Sequence, residues 1–323
     1  MTAAMTTASA VVVLLLGGAL AGPRMLDRLA PWLAQRPRLG ISAWVGAVVV
    51  WLLGLSVLGP LLAWVVTGPG LPGDVGAICR RCLEAANPFG IAAVPTGVPP
   101  LALLALPALL LLAVAVAVAL SFHRAERERT AQVAALHETG EIRLVAGSPV
   151  WLVASPVPTA YCLPGREAGI VISEGAVGAL DEAQLGAVLA HERAHLRGRH
   201  HLLLGLLRAA SRVLAWVPLV AAAPRAVAGY AEMTADDAAH RAHGTRALAG
   251  ALLALRGSGG ATPATALHAG AYRVPSRVQR LVAPPAATDV VAVTVAGSYL
   301  IAVAGTVLLV AGPYLAVLLR GTC

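Results

Sequence analysis

Residues 189–195 read Leu-Ala-His-Glu-Arg-Ala-His, so His191, Glu192 and His195 form an H-E-x-x-H string. On a helix, positions four apart share a face. Both imidazoles can then reach one zinc ion while the adjacent glutamate activates a water held on it. Peptide-bond hydrolysis is the chemistry this arrangement serves. The competing reading is an ordinary amphipathic helix whose histidines are satisfied core residues. Glu192 decides between them, because the helical wheel places it inside the apolar stripe of Leu185, Val188, Leu189 and Leu196. An unpaired buried carboxylate costs roughly 3–5 kcal/mol and needs a compensating charge, which a zinc ion supplies.

Catalytic zinc takes three protein ligands and leaves a fourth position for water, so a third ligand must exist. His201 follows Gly198 at the H-E-x-x-H-x-x-G-x-x-H spacing, where the glycine lets the chain turn back. Glu232 and Asp236 instead stand four apart on one face of a later helix. There Glu232 would bind the metal and Asp236 would accept a hydrogen bond from a ligand histidine. The apolar run from Leu202 onward reads as a continuation of the motif helix, which turns His201 away and favours Glu232. His200, His240 and His243 read as surface residues or as partners behind the ligands. Asp181 and Gln184 form a capping box that starts the motif helix.

Upstream, residues 158–165 read Pro-Thr-Ala-Tyr-Cys-Leu-Pro-Gly, followed by Gly-Ile-Val-Ile-Ser at 169–173 and then the motif helix. This combination resembles the integral-membrane zinc peptidases, above all the BlaR/MecR-type antirepressor peptidases, and their relatives the HtpX-like quality-control proteases and the CAAX prenyl proteases. The resemblance covers about residues 120–285 and implies one zinc ion per chain held by His191, His195 and Glu232. It also implies Glu192 as the base, Asp236 behind a ligand, and a substrate strand at Thr159, Ala160 and Tyr161. Thr159 replaces the asparagine usual in that strand. No sensor domain follows the last apolar segment, so β-lactam sensing is not implied. The roles it carries are cleavage of a protein substrate such as a small winged-helix repressor, or housekeeping removal of damaged membrane proteins. A rival of another class is a non-catalytic signalling or scaffold protein with a structural zinc site, which His200 or His201 would close as a fourth ligand. Arg277 and Arg280 sit where the relatives carry a basic element near the site; an exposed basic turn is the other reading.

These residues must be positioned by a very apolar chain. Of its 323 residues 58% are hydrophobic and 12% charged, which excludes an ordinary soluble domain, where charged residues run near 25%. Four stretches are long enough to span a bilayer: about 8–22 with its flanks, 42–66, 99–121 and 289–311. Ala19-Leu20-Ala21 has the small-x-small form of a signal cleavage site. With no basic residue before it and arginines after, the first stretch reads as an uncleaved span. The expected fold is mainly α: a polytopic membrane protein with a zincin-like α+β metallopeptidase domain, motif helix plus small edge sheet, inserted between transmembrane helices. Its expected regions are 1–121 with three spans, a catalytic domain over 122–285, and 286–323 with a final span and tail. Arg24, Arg28, Arg36 and Arg38, then Arg124, Arg127 and Arg129, follow the first and third spans, so the positive-inside rule places the catalytic domain in the bacterial cytoplasm. A plain crossing by residues 202–223 would part Glu232 from His191. Arg208 and Arg212 also make it costly, so this stretch is expected to be a buried or membrane-dipping helix, or a re-entrant pair.

The net charge of +8 comes wholly from arginine, as the chain has no lysine. No nucleic-acid motif accompanies it, and a basic face beside anionic lipid accounts for the charge. The expected partners are therefore the bilayer and a protein or peptide substrate. Cys79 and Cys82 form a C-x-x-C in the loop between the second and third stretches, expected outside the cell, and read as a disulfide first, with two free thiols or a redox-active pair as the other readings, while Cys162 reads as a packed residue. Gly257-Ser258-Gly259-Gly260 marks a flexible turn.

Overall fold

The computed structural model describes residues 2–67, 100–164 and 169–256, together with residues 277, 279, 280, 290, 294, 297, 298, 301 and 305. The Cys79–Cys82 pair, the glycine turn at 257–260 and most of the expected span 289–311 lie outside the described residues.

Three helices open the chain: α1 (Thr2–Arg28), α2 (Ala30–Gln35) and α3 (Pro37–Thr67). α1 and α3 lie against each other, and Trp51 on α3 donates its indole N–H to the Leu15 carbonyl at 2.9 Å. Trp44, Val48, Leu26 and Leu33 join Leu204, Leu214, Leu219 and Val227 from later helices in one buried cluster. The N-terminal helices are thus packed onto the helix that carries Glu232.

α4 (Pro100–Thr139) is one continuous helix, so the expected boundary at residue 121 falls in its middle without a break. Pro37–Ser56 in α3 and Ala105–Thr139 in α4 are, among the described residues, the two stretches long and apolar enough to cross a membrane. The expected span 8–22 lies within α1, which does not join them.

After α4 the period changes to strands: β1 (Gly140–Val145), β2 (Ser148–Val153), β3 (Ala160–Cys162) and β4 (Ile170–Ser173). β1 and β2 form a hairpin whose turn residues, Ala146 and Gly147, both have positive φ, the geometry that matches strand twist. The sheet order is β1-β2-β4-β3, with β2 parallel to β4 and β3 antiparallel to it, so among the described residues β3 is an edge strand. Ser173 caps the short helix α5 (Glu174–Ala179). Its hydroxyl accepts from the Ala176 and Thr159 amides and donates to the Val157 carbonyl, which ties the approach of β3 to the end of β4.

α6 (Glu182–Arg197) begins at the capping box of Asp181 and Gln184, with both reciprocal bonds made. It does not run on into the apolar stretch: Gly198 ends it, Arg199 takes the left-handed conformation at φ 49°, and α7 (His200–Val213) starts anew. The expected stretch 202–223 is likewise two helices, because residues 214–217 turn the chain and Pro218 opens α8 (Pro218–Arg256). Proline suits a first helical position, where its missing N–H has no partner to lose. α8 kinks at Gly244, whose φ of 80° and ψ of 168° no helix accepts. The two reversals lay α8 along α6, where the two helices pack extensively against each other.

Candidate metal centre

His191 and His195 project from α6 and Glu232 from α8 into one point between the helices. One ligand atom from each lies within 4.8 Å of the others. The two Nε2 atoms are 3.1 Å apart, His195 Nε2 is 3.4 Å from Glu232 Oε1, and His191 Nε2 is 3.6 Å from Glu232 Oε2. Zinc bonds of about 2.0–2.1 Å at tetrahedral angles set neighbouring donor atoms about 3.3–3.4 Å apart, so the triangle has the size a zinc ion requires. His201 lines the adjoining cavity but does not enter this cluster.

Each histidine is backed on its other ring nitrogen. His191 Nδ1 lies 3.2 Å from Asp236 Oδ1, in contact although off the line of a well-formed hydrogen bond. His195 Nδ1 is 2.9 Å from His200 Nδ1. His200 is buried, and a Cβ on Gly198 would collide with its ring, so the glycine makes the room that lets His200 stand behind His195. Burial lowers the His195 pKa to about 3, helped by the neighbouring His191, and that of His200 to about 4. Both rings are held in the neutral form, the one in which an imidazole can bind a metal.

Arg277 is the second basic group of consequence. It forks onto both oxygens of Asp236 and reaches Glu232 Oε2 at 3.2 Å, with only 10% of its side chain exposed. Arg280 bonds the Met233 and Ala34 carbonyls at 3.1 Å each and pairs with Asp237. The reading of these two as an exposed basic turn is therefore overturned: they are clamped onto α8, and Arg280 also reaches α2. Three buried carboxylates, Glu192, Glu232 and Asp236, face this one buried guanidinium. Burial opposes protonation of His191, but the Asp236 and Glu232 bonds and charges raise its pKa to about 10, so without metal a protonated His191 and Arg277 balance Glu232 and Asp236, and a divalent cation would take the place of that proton.

Glu192 is buried beside the pair. Burial pushes its carboxyl up to about 7, with the Glu232 charge adding to the shift and His191, Cys162 and Arg277 opposing it. Burial works against the Glu232 charge too, but the His191 bond and the Arg277 charge outweigh it and hold that carboxyl at about 2. Cys162 is half-buried at the end of β3, and burial followed by the Glu192 charge drives its thiol well above the ordinary range. A cavity of about 780 Å³ opens over the cluster, with β3 residues Ala160, Tyr161 and Cys162 on one wall and Val188, Leu248 and Leu252 among the apolar lining. Thr159 stands just before the strand. Its hydroxyl is turned to the Val157 carbonyl, and it does not line the cavity. His240 bonds Thr245, and His243 packs over Gly186, both away from the cluster.

His200 and Arg277 carry more of the site than the residue pattern indicated. The sequence offered His200 as either a surface residue or a partner behind the ligands, and Arg277 as either a basic element near the site or an exposed turn.

Comparison with curated proteins and with solved structures finds no match. Residues 123–256, from the middle of α4 through the sheet and the motif helix to the end of α8, match the model of Peptidase family M48, which supports a metallopeptidase.

Proposed function

We propose that this chain is a membrane-embedded zinc endopeptidase with its catalytic groups at the cytoplasmic face. The observation that carries the proposal is the meeting of His191, His195 and Glu232 in a triangle of zinc-ligand size, with the carboxyl of Glu192 buried beside it. His191, His195 and Glu232 are the residues that would hold the metal. Zinc, when bound, supplies a Lewis acid that polarises a carbonyl and acidifies water. Glu192, held near neutrality by burial, takes the proton from the attacking water and returns it to the leaving amine. Asp236 and His200 fix the tautomers of the two histidines by engaging their Nδ1 atoms, leaving both Nε2 lone pairs free.

Among the described residues β3 is paired on one side only, with β4. Its other edge, beside the cavity, takes an extended substrate backbone through main-chain hydrogen bonds, which gives affinity with little sequence selectivity. Embedding in the bilayer is supported by the apolar faces of α1 and α4. Leu16, Leu20, Leu106, Leu109, Leu112 and Leu120 are all at least half exposed, an outer surface that water does not tolerate but lipid does. The arginines after the first and third spans orient the site inward. The antirepressor resemblance adds a small winged-helix repressor as the protein cleaved.

The test is Glu192→Gln, assayed on denatured casein in detergent or nanodiscs. The variant should retain zinc and lose about 10²–10⁴-fold in rate, the usual contribution of a positioned base. Undiminished cleavage would refute the assignment.

A further inference from the structure

From Leu202 to Val213, α7 is apolar apart from Ser211 and two arginines, Arg208 and Arg212. Four apart, they share one helix face, where like charges repel. Both line the cavity that also holds His191, Glu192, His195 and Glu232, whereas the half-exposed Leu206 of the same helix does not. Among the described residues neither meets a carboxylate. Arg212 Nη1 donates to Ser121 Oγ at 2.9 Å, which pins that guanidinium to the α4 wall, and Arg208 makes no ion pair. Away from the metal centre two acids line the cavity: Glu126, which pairs with Arg129, and Glu128. Four arginines, Arg124, Arg129, Arg208 and Arg212, against those two acids leave a surplus of two positive charges on this part of the lining, where Arg208 and Arg212 are themselves exposed.

We propose that Arg208 and Arg212 form an anion subsite of the substrate cleft, selecting segments that carry an aspartate or glutamate on one side of the scissile bond. This rests on the peptidase reading above and adds a substrate class to it. A lipid phosphate is the other anion such a pair could hold, but the opening of both side chains into the cleft shared with Glu192 favours the substrate.

The experiment is a cleavage-site profile, read by mass spectrometry, of denatured casein cut by the full-length zinc protein in phosphatidylcholine nanodiscs. It compares the wild type with Arg208→Gln, Arg212→Gln, the double variant and Arg208→Lys, with zinc content measured for each. Wild-type sites should be enriched in Asp or Glu at a fixed offset. Each glutamine substitution should reduce that preference about fivefold, the upper end for a solvent-accessible ion pair. Arg208→Lys should keep most of it, and zinc content should stay constant. A wild-type profile with no acidic enrichment, or enrichment that survives in the double variant, overturns the subsite. So does loss of binding to phosphatidylglycerol vesicles with an unaltered profile, which would assign the arginines to lipid. Bound zinc with no cleavage by the wild type overturns the peptidase reading itself, and the subsite falls with it.

Discussion

Glu192 and Glu232 are equally buried, yet their surroundings drive them apart, to about 7 and about 2. Arg277 and the histidines surround Glu232 with positive charge and donors, while desolvation dominates at Glu192; this is the split that the proposed roles of ligand and base require. The same shifts set a pH response for the metal-free protein. His195 and His200 have folded values below the ordinary 6.5, so the unfolded chain binds their protons first and stability falls as pH drops below 6.5. Glu232 and Asp236 have lowered values and lose their stabilisation as pH falls below about 4.5. Glu192, with a raised value, opposes the histidines between 4.5 and about 7 but not below. All contributions therefore share one sign below pH 4.5. Thermal melting of metal-free protein should show a steep loss of Tm there and a shallow change from 4.5 to 6.5. The His195–His200 contact gives a second expectation: His200→Leu should weaken zinc about 10- to 100-fold in a chelator competition, while His200→Asn, which still accepts a bond, should lose less. The motif histidines and Glu192 were legible from types and spacing. His200 and Arg277 were legible only as one of two readings each, because a histidine after a helix end and an arginine in a basic run carry no pattern that says which way they fold back.

At the level of elements, local signals were read well and chain reversals poorly. The capping box at Asp181 is a four-residue pattern, and it forms as written. The break at 198–199 was missed because Gly198 keeps a right-handed conformation and the left-handed residue is Arg199, a type with no preference for it. Hydropathy placed the end of α4 at 121, where the apolar run stops. The helix continues to Thr139 because the polar sequence that follows is itself rich in helix formers, so hydropathy marked a change of surroundings and not a helix end. The break has a testable role. Gly198→Ala keeps the backbone conformation but intrudes on the His200 ring. It should weaken zinc in the same chelator competition, and in a His200→Ala background, where the ring is gone, the same change should have little effect. Equal effects in both backgrounds would detach the glycine from the metal centre.

Across the whole molecule, the function depends on bringing α8 back beside α6. Residues alone left Glu232 and His201 as rivals for the third ligand, since contacts between distant segments have no periodicity to betray them. The reversals at 198–199 and 214–217 bring Glu232 to the histidine pair and leave His201 on the cavity wall. The N-terminal helices take part in this placement, through the shared core of Trp44, Leu33 and Leu219 and through the Arg280 bond to Ala34. The most direct measurement is the zinc content of purified protein after dialysis, compared between the wild type, Glu232→Ala and His201→Ala. The wild type and His201→Ala should each retain about one zinc per chain and Glu232→Ala should lose it. A Glu232→Ala protein that keeps its zinc would contradict the proposed centre.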